Sequence, residues 1–172
     1  NLATRINPFD FSGENFHAAI HFGSDDWLGS RSLHLMPEEA VAVASPNLIE
    51  GTGAQEAENI LNLPLLHLQS RPNAWPQWFS QKGVDVGDLP GVRFDQFATM
   101  IQASVFGLGA AIVPKYLIEA ELQEGRLVGL FGSEPSVIGS YYLVWPERTE
   151  NYPPLGAFRT WITQTICQER II

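Results

Sequence analysis

Apolar and polar positions alternate between residues 16 and 22. Phe16, Ala18, Ile20 and Phe22 fall on one face; His17, Ala19 and His21 fall on the other. A period of two predicts a β-strand with one apolar face, ended here by Gly23. Before it, Asn7-Pro8-Phe9-Asp10-Phe11 and Ser12-Gly13 form a turn-rich opening. After it comes a polar loop, Ser24-Asp25-Asp26-Trp27-Leu28-Gly29. Residues 33–35 and 40–44 predict two more strands. The second is small and branched enough to be buried on both faces, and Ser45-Pro46 stops it. Stretch 46–63 holds Gly51-Thr52-Gly53 and a short helical segment, and 63–68 is an apolar run suited to a buried strand. Asn73 is placed to cap a helix through Trp75, Trp78 and Phe79, with Pro76 in its first turn and Gly83 closing it. Residues 84–91 read as loop.

Further on, Asp95 is a candidate cap. Phe97, Met100, Ile101, Ser104, Val105 and Leu108 recur at helical spacing, and Gly107 suits the C-terminal cap. Residues 109–113 predict a strand. Pro114 fits the start of a helix carrying Tyr116, Leu117, Ala120 and Glu121, ended by Gly125. Residues 127–131 and 141–145 predict strands. Pro153-Pro154 opens a last helix with Leu155, Phe158, Trp161, Ile162, Thr165 and Ile166 on its apolar side. Strands alternating with helices indicate an α/β fold with mainly parallel pairing.

The chain's 172 residues suffice for one domain with a core, or for two small lobes sharing a hinge. Acidic residues number 19 against 10 basic, and the net charge of -9 repels phosphate, which argues against direct contact with nucleic acid. The single cysteine, Cys167, cannot form an internal disulfide or build a zinc site alone, and a reducing cytoplasm fits it. No apolar run is long enough to cross a bilayer. The first residues show no secretory pattern, and the chain opens without Met.

Catalytic patterns are absent: there is no Gly-x-Ser-x-Gly, no His-Glu-x-x-His and no phosphate loop. His17 and His21, four apart on a strand, stand about 13–14 Å apart, too far to share a metal. Gly107-Leu108-Gly109 follows a helix and precedes a strand. That is the reverse of a dinucleotide turn, so it reads as a cap with close packing. Adjacent Asp25 and Asp26 read as a solvated turn rather than an acid–base pair. Cys167 reads as a packed or half-exposed thiol. Trp75 and Trp78 default to core packing, with cleft lining as the sharper alternative. No cofactor is expected, and no enzyme activity.

Several segments together resemble LysR-type transcriptional regulators, in the branch of the glycine-cleavage and β-lactamase activators. They are Ala3-Thr4-Arg5-Ile6-Asn7-Pro8-Phe9-Asp10-Phe11, then Phe16-His17-Ala18-Ala19-Ile20-His21-Phe22-Gly23 with Trp27, then Val41-Ala42-Val43-Ala44-Ser45-Pro46. Next come Pro64-Leu65-Leu66-His67-Leu68 with Trp75 and Trp78, and Arg93-Phe94-Asp95-Gln96-Phe97 leading to Gly107-Leu108-Gly109-Ala110-Ala111-Ile112-Val113-Pro114. Tyr141-Tyr142-Leu143-Val144-Trp145-Pro146 closes the series. Order and spacing, more than any one motif, carry the likeness across nearly the whole chain.

The resemblance implies an α/β, two-lobed, type 2 periplasmic-binding-protein-like fold with a hinge, N-terminally incomplete. The crossings are expected near residues 43–45 and 141–143, giving one lobe of 1–44 plus 141–172 and a second of 46–140. The family's winged helix, linker helix, first effector-domain strand and following helix have no counterpart in this chain. The implied role is a ligand-sensing, effector-binding module of a cytoplasmic bacterial regulator, with promoter DNA met only through the missing N-terminal domain. A small-molecule effector, a carboxylate or an amino acid, is expected in the cleft between the lobes. By position the family's effector contacts fall on Phe22, Gly23 and Ser24, on Gln69, Ser70 and Arg71, and on Asp95, Gln96 and Phe97. The family also implies a homodimer or tetramer, and no membrane partner. The alternative is a solute-binding receptor for transport on the same fold.

Overall fold

A computed structural model describes residues 2–5, 9–27, 29–53, 56–131 and 134–169. Ile6, Asn7 and Pro8 of the expected opening turn lie outside the described residues, as do Leu28 of the polar loop and Ala54-Gln55 within 46–63. The chain divides into two compact units, Asn1–Glu38 with Gly139–Ile172, and Glu39–Ile138. Its strands are β1 (Ala19–Gly23), β2 (Ser30–Ala44), β3 (Leu65–Leu68), β4 (Gly91–Phe94), β5 (Ala110–Pro114), β6 (Val128–Gly129) and β7 (Ser136–Pro146). Its α-helices are α1 (Pro46–Ile49), α2 (Ala57–Ile60), α3 (Ala74–Gln81), α4 (Phe97–Val105), α5 (Glu119–Gln123) and α6 (Pro153–Glu169).

The second unit is built on the run Ala40–Ala44 of β2, which the sequence marks as buried on both faces. Val41 and Val113 pair across an antiparallel ladder between β2 and β5. Parallel ladders then join β5 to β3 and β3 to β4, with Leu65 opposite both Ala110 and Gly91. Successive strand residues point to opposite faces, so this sheet feeds two cores. Ala40, Ala42, Ala44, Leu65 and Ile112 pack against Trp75, Trp78 and Phe79 of α3. Val41, Val43, Leu66 and Val113 pack against Met100 and Ile101 of α4 and against Ile118. The Trp75 indole N–H donates to the Leu66 carbonyl at 2.9 Å, so the polar end of this buried ring is satisfied.

In the first unit β1 runs antiparallel to β7, from Ala19 opposite Val144 to Gly23 opposite Ser140. Leu143 and Trp145 of β7, Leu35 of β2, and Leu155 and Ile162 of α6 form its core. Arg159 lies over the Trp145 ring at 4.2 Å and bonds Glu150 at 3.0 Å, closing the polar side of that core.

Several expectations need correction. Pairing is mixed rather than mainly parallel: β3 runs parallel to β4 and β5, whereas β1–β7, β2–β5 and β2–β6 are antiparallel. The strands expected at 33–35 and 40–44 are one 15-residue strand, β2, which runs through Pro37. Residues 91–94, read partly as loop, form β4. The strand expected at 127–131 shrinks to β6, because Phe131 takes a positive φ of 49°. The helix expected from Pro114 breaks into a 3-10 turn, Lys115–Leu117, and α5. At the break Ile118 leaves helical geometry (φ -131°) to bury its side chain completely in the second core. Neither Asp95 nor Asn73 caps its helix through the side chain: Gln96 holds the cap position of α4, and Asn73 caps α3 with backbone alone. Ile20, Leu108 and Trp161, assigned to apolar faces, are 51%, 56% and 58% exposed. His17 precedes β1 rather than lying on it.

Candidate functional site

The turn after β3 and the start of α4 come together because β3 and β4 are parallel neighbours whose chains leave the sheet at the same end. The Gln69 backbone N–H donates to the Phe94 carbonyl at 2.8 Å, extending that ladder by one bond. Arg71 N–H donates to Leu68 O at 2.9 Å, and Ala74 N–H to Arg71 O at 3.1 Å, which fixes the tight turn through Ser70. The Arg71 guanidinium donates to the Ser70 carbonyl at 3.1 Å and lies 5.6 Å from the Phe97 ring centre. Arg71 and Phe97 are half-buried; Gln69, Ser70, Asp95 and Gln96 are exposed.

Gln96 is extended (φ -133°), and its carbonyl accepts from Met100 N–H at 3.2 Å and from the Thr99 hydroxyl at 3.0 Å. The first N–H groups of α4 therefore open beside Arg71, at the positive end of the helix dipole. Five of the six residues expected here, Gln69, Ser70, Arg71, Gln96 and Phe97, stand around this corner, and Arg71 is the charged one among them. Asp95 adds a carboxylate of opposite sign. The arrangement suits an anionic group: a guanidinium can donate to both oxygens of a carboxylate, and helix N–H groups donate to the same kind of partner.

Phe22, Gly23 and Ser24 belong to the first unit. The Phe22 ring lies 5.7 Å from that of Tyr141 and over the backbone of Gly139, where a side-chain Cβ would stand 2.2 Å from the ring. Gly23 closes β1 with a φ of 150°. The Ser24 hydroxyl donates to the Asp26 carboxylate.

Beside this group stands one residue that sequence reasoning did not single out, Glu38. Glu38 is 1% exposed, and its carboxylate accepts a hydrogen bond from the Tyr141 hydroxyl. The signal was present: an acid pair, Glu38-Glu39, directly precedes the most buried strand segment of the chain.

The remaining candidates resolve as structural. Trp75 and Trp78 are core residues, each 1% exposed. Gly107 (φ 79°) ends α4, and a Cβ on Gly109 would stand 2.6 Å from Pro64 O, so both glycines serve the backbone. Cys167 is exposed on α6. Among the described residues, no group of three His, Cys, Asp or Glu could hold a metal ion. No helix among them is long and apolar enough to cross a membrane.

The family described as LysR substrate binding domain matches residues 9–166. The HTH-type transcriptional regulator TrpI of Pseudomonas aeruginosa is 30% identical over 169 residues, covering 96% of this chain and 57% of that protein. The glycine cleavage system transcriptional activator of Escherichia coli is 28% identical over 163 residues, covering 94% of this chain and 53% of that protein. The chain thus spans about half the length of the curated relatives it matches. The solved effector domain of the transcriptional regulator AmpR of Pseudomonas aeruginosa superposes with a TM-score of 0.81 at 24% identity, covering 98% of this chain and 81% of that one. This last likeness is one of fold.

Proposed function

The chain belongs to the LysR substrate-binding domain family, and from that premise we propose that it senses a small carboxylate-bearing molecule on behalf of a DNA-binding transcriptional regulator. One observation carries the ligand class. The Arg71 guanidinium, held by Ser70 O and the Phe97 ring, stands at the opening turn of α4. A guanidinium fixed in this way loses little rotamer freedom on pairing with a carboxylate. Gln69, Ser70, Gln96 and Phe97 complete the contacts of the second unit, with Asp95 placed to meet an amine if the effector is an amino acid.

The relatives named above are regulators of transcription, which supports a sensing role over a transport receptor or an enzyme. In such a regulator the ligand shifts a population of conformations, and promoter DNA is met through a separate winged helix in the cytoplasm. Val92 on β4 and Phe106 and Leu108 after α4 leave apolar surface exposed in the second unit, which supports assembly as a homodimer or tetramer. Sedimentation across a concentration series reads that state, and a monomer at all concentrations would count against it.

Calorimetry against amino acids, small organic acids and peptidoglycan fragments tests the site directly. Arg71→Ala and Gln96→Ala are each expected to weaken the ligand found by about 1–3 kcal/mol while the fold persists. A ligand whose affinity neither substitution moves places the site elsewhere.

A further inference from the structure

The geometry points to a second ligand site, wholly within the first unit, that takes a small aromatic carboxylate. It is a cavity of about 450 Å³ lined by Asn15, Phe16, His17, Arg148, Thr149 and Tyr152. None of these residues belongs to the corner formed by Arg71 and α4, so this inference goes beyond the effector reading and stands without it.

The walls are built rather than incidental. The Arg148 Nη2 donates to the carbonyls of Phe11 at 2.7 Å and Glu14 at 3.3 Å, tying the segment before β1 to the chain after β7. The Thr149 hydroxyl, 6% exposed, lies 2.9 Å from the carbonyls of both His17 and Pro146, and its single proton serves one at a time. These links join residues more than 130 positions apart, so the two sides of the cavity are held in register before any ligand arrives. Preorganisation of this kind lowers the entropic cost of binding.

The chemistry of the walls selects the ligand. Arg148 is the one residue of fixed charge among the lining residues, and no carboxylate lines the cavity with it. An acid acting on it is Asp10, outside the lining, whose carboxyl is held below its ordinary value first by the Ser12 hydrogen bonds and, to a smaller extent, by the Arg148 charge. The described hydrogen bonds of Arg148 are made by Nη2, and the Asn15 amide lines the same space as a neutral donor. The His17 imidazole stacks on the Tyr152 ring at 4.6 Å and 18°, presenting a flat wall, and the half-buried Phe16 ring lines the same space. A flat apolar body bearing one carboxylate satisfies both features. The volume lies within the range of small-molecule sites, about 300–1,000 Å³.

The test uses this chain with benzoate as the probe and benzamide as its uncharged isostere, following the His17 ring resonances by NMR. Benzoate is expected to shift them saturably, and benzamide to bind at least about tenfold more weakly, as loss of a charge-assisted hydrogen bond implies. Tyr152→Ala, which leaves the bonds of Arg148 in place, and Arg148→Gln are each expected to weaken benzoate by about tenfold or more. Arg71→Ala is expected to leave the His17 response unchanged, which separates this site from the effector corner. The proposal is overturned if the shifts do not saturate, if benzamide matches benzoate, if Tyr152→Ala is without effect, or if Arg71→Ala abolishes the response.

Discussion

His21 and His67 each present a buried Nε2 with no hydrogen-bond partner among the described residues. Burial is the leading cause that holds both imidazoles below the usual value of 6.5, against smaller opposing pulls from backbone hydrogen bonds and from Asp26 or Asp88. The folded state therefore takes up these protons less readily than the unfolded chain. Stability is full above the unfolded pKa of 6.5 and is lost as pH falls from there through the folded values. Urea midpoints are expected to drop between about pH 7.5 and about pH 5.5, and the double variant His21→Gln, His67→Gln to flatten that slope. A slope unchanged in the double variant would assign the effect to other groups. The sequence marks His21 as a strand residue but cannot show that Trp27 and Tyr142 close around it, at 4.8 Å and 5.9 Å. Gln96 was legible as a helix-start residue; its place at the cap, one position past Asp95, is decided by the backbone leaving β4 in extended form.

Helices and strands with strong local patterns were legible as elements. The run Ala40–Ala44 announces itself because both faces are apolar, and α3 because its aromatic residues fall on one side. β4 was harder to see. Its residues are exposed or half-buried, and what makes it a strand is the neighbour it meets, not its own composition. Gly91 explains how close that meeting is: a Cβ there would stand 2.1 Å from the Leu65 carbonyl and 2.5 Å from the His67 ring. Gly91→Ala is therefore expected to push β4 off β3 and cost about 1–3 kcal/mol in urea unfolding. Gly87→Ala, which meets nothing within 4 Å, is expected to stay within about 0.5 kcal/mol. Equal costs for the two would show that β4 yields without strain. The single strand β2 escaped sequence reasoning for a related reason. Pro37 lies in the gap left between the strands expected at 33–35 and 40–44, and a proline fits extended backbone wherever its missing N–H is not needed by a ladder.

For the molecule as a whole, composition says more about what is excluded than about what is bound. With a net charge of -9 and no Lys/Arg cluster, this chain alone is expected to show no salt-sensitive, sequence-selective binding in anisotropy titrations against promoter fragments. Such binding at sub-micromolar protein would contradict the assignment of DNA contact to another part of the regulator. The α/β class and the family were legible because many weak motifs recur in order. The cavity beside Arg148 was not, since it joins residues on either side of a hundred-residue excursion.

That excursion has a consequence for synthesis. Residues 39–138 form one continuous block of chain, whereas the first unit is made of two pieces separated by it. A ribosome moving at about 5–20 residues per second needs roughly 5–20 s to cross those positions. During that interval residues 40–43 of β2 can pair with β5, and β3 with β5 and β4, because all of these lie within the block. β1 meanwhile has emerged without β7, the strand it pairs with from Ala19 to Gly23. The nascent chain therefore carries an unpaired strand edge until β7 appears, since its residues 140–144 are the ones that close it.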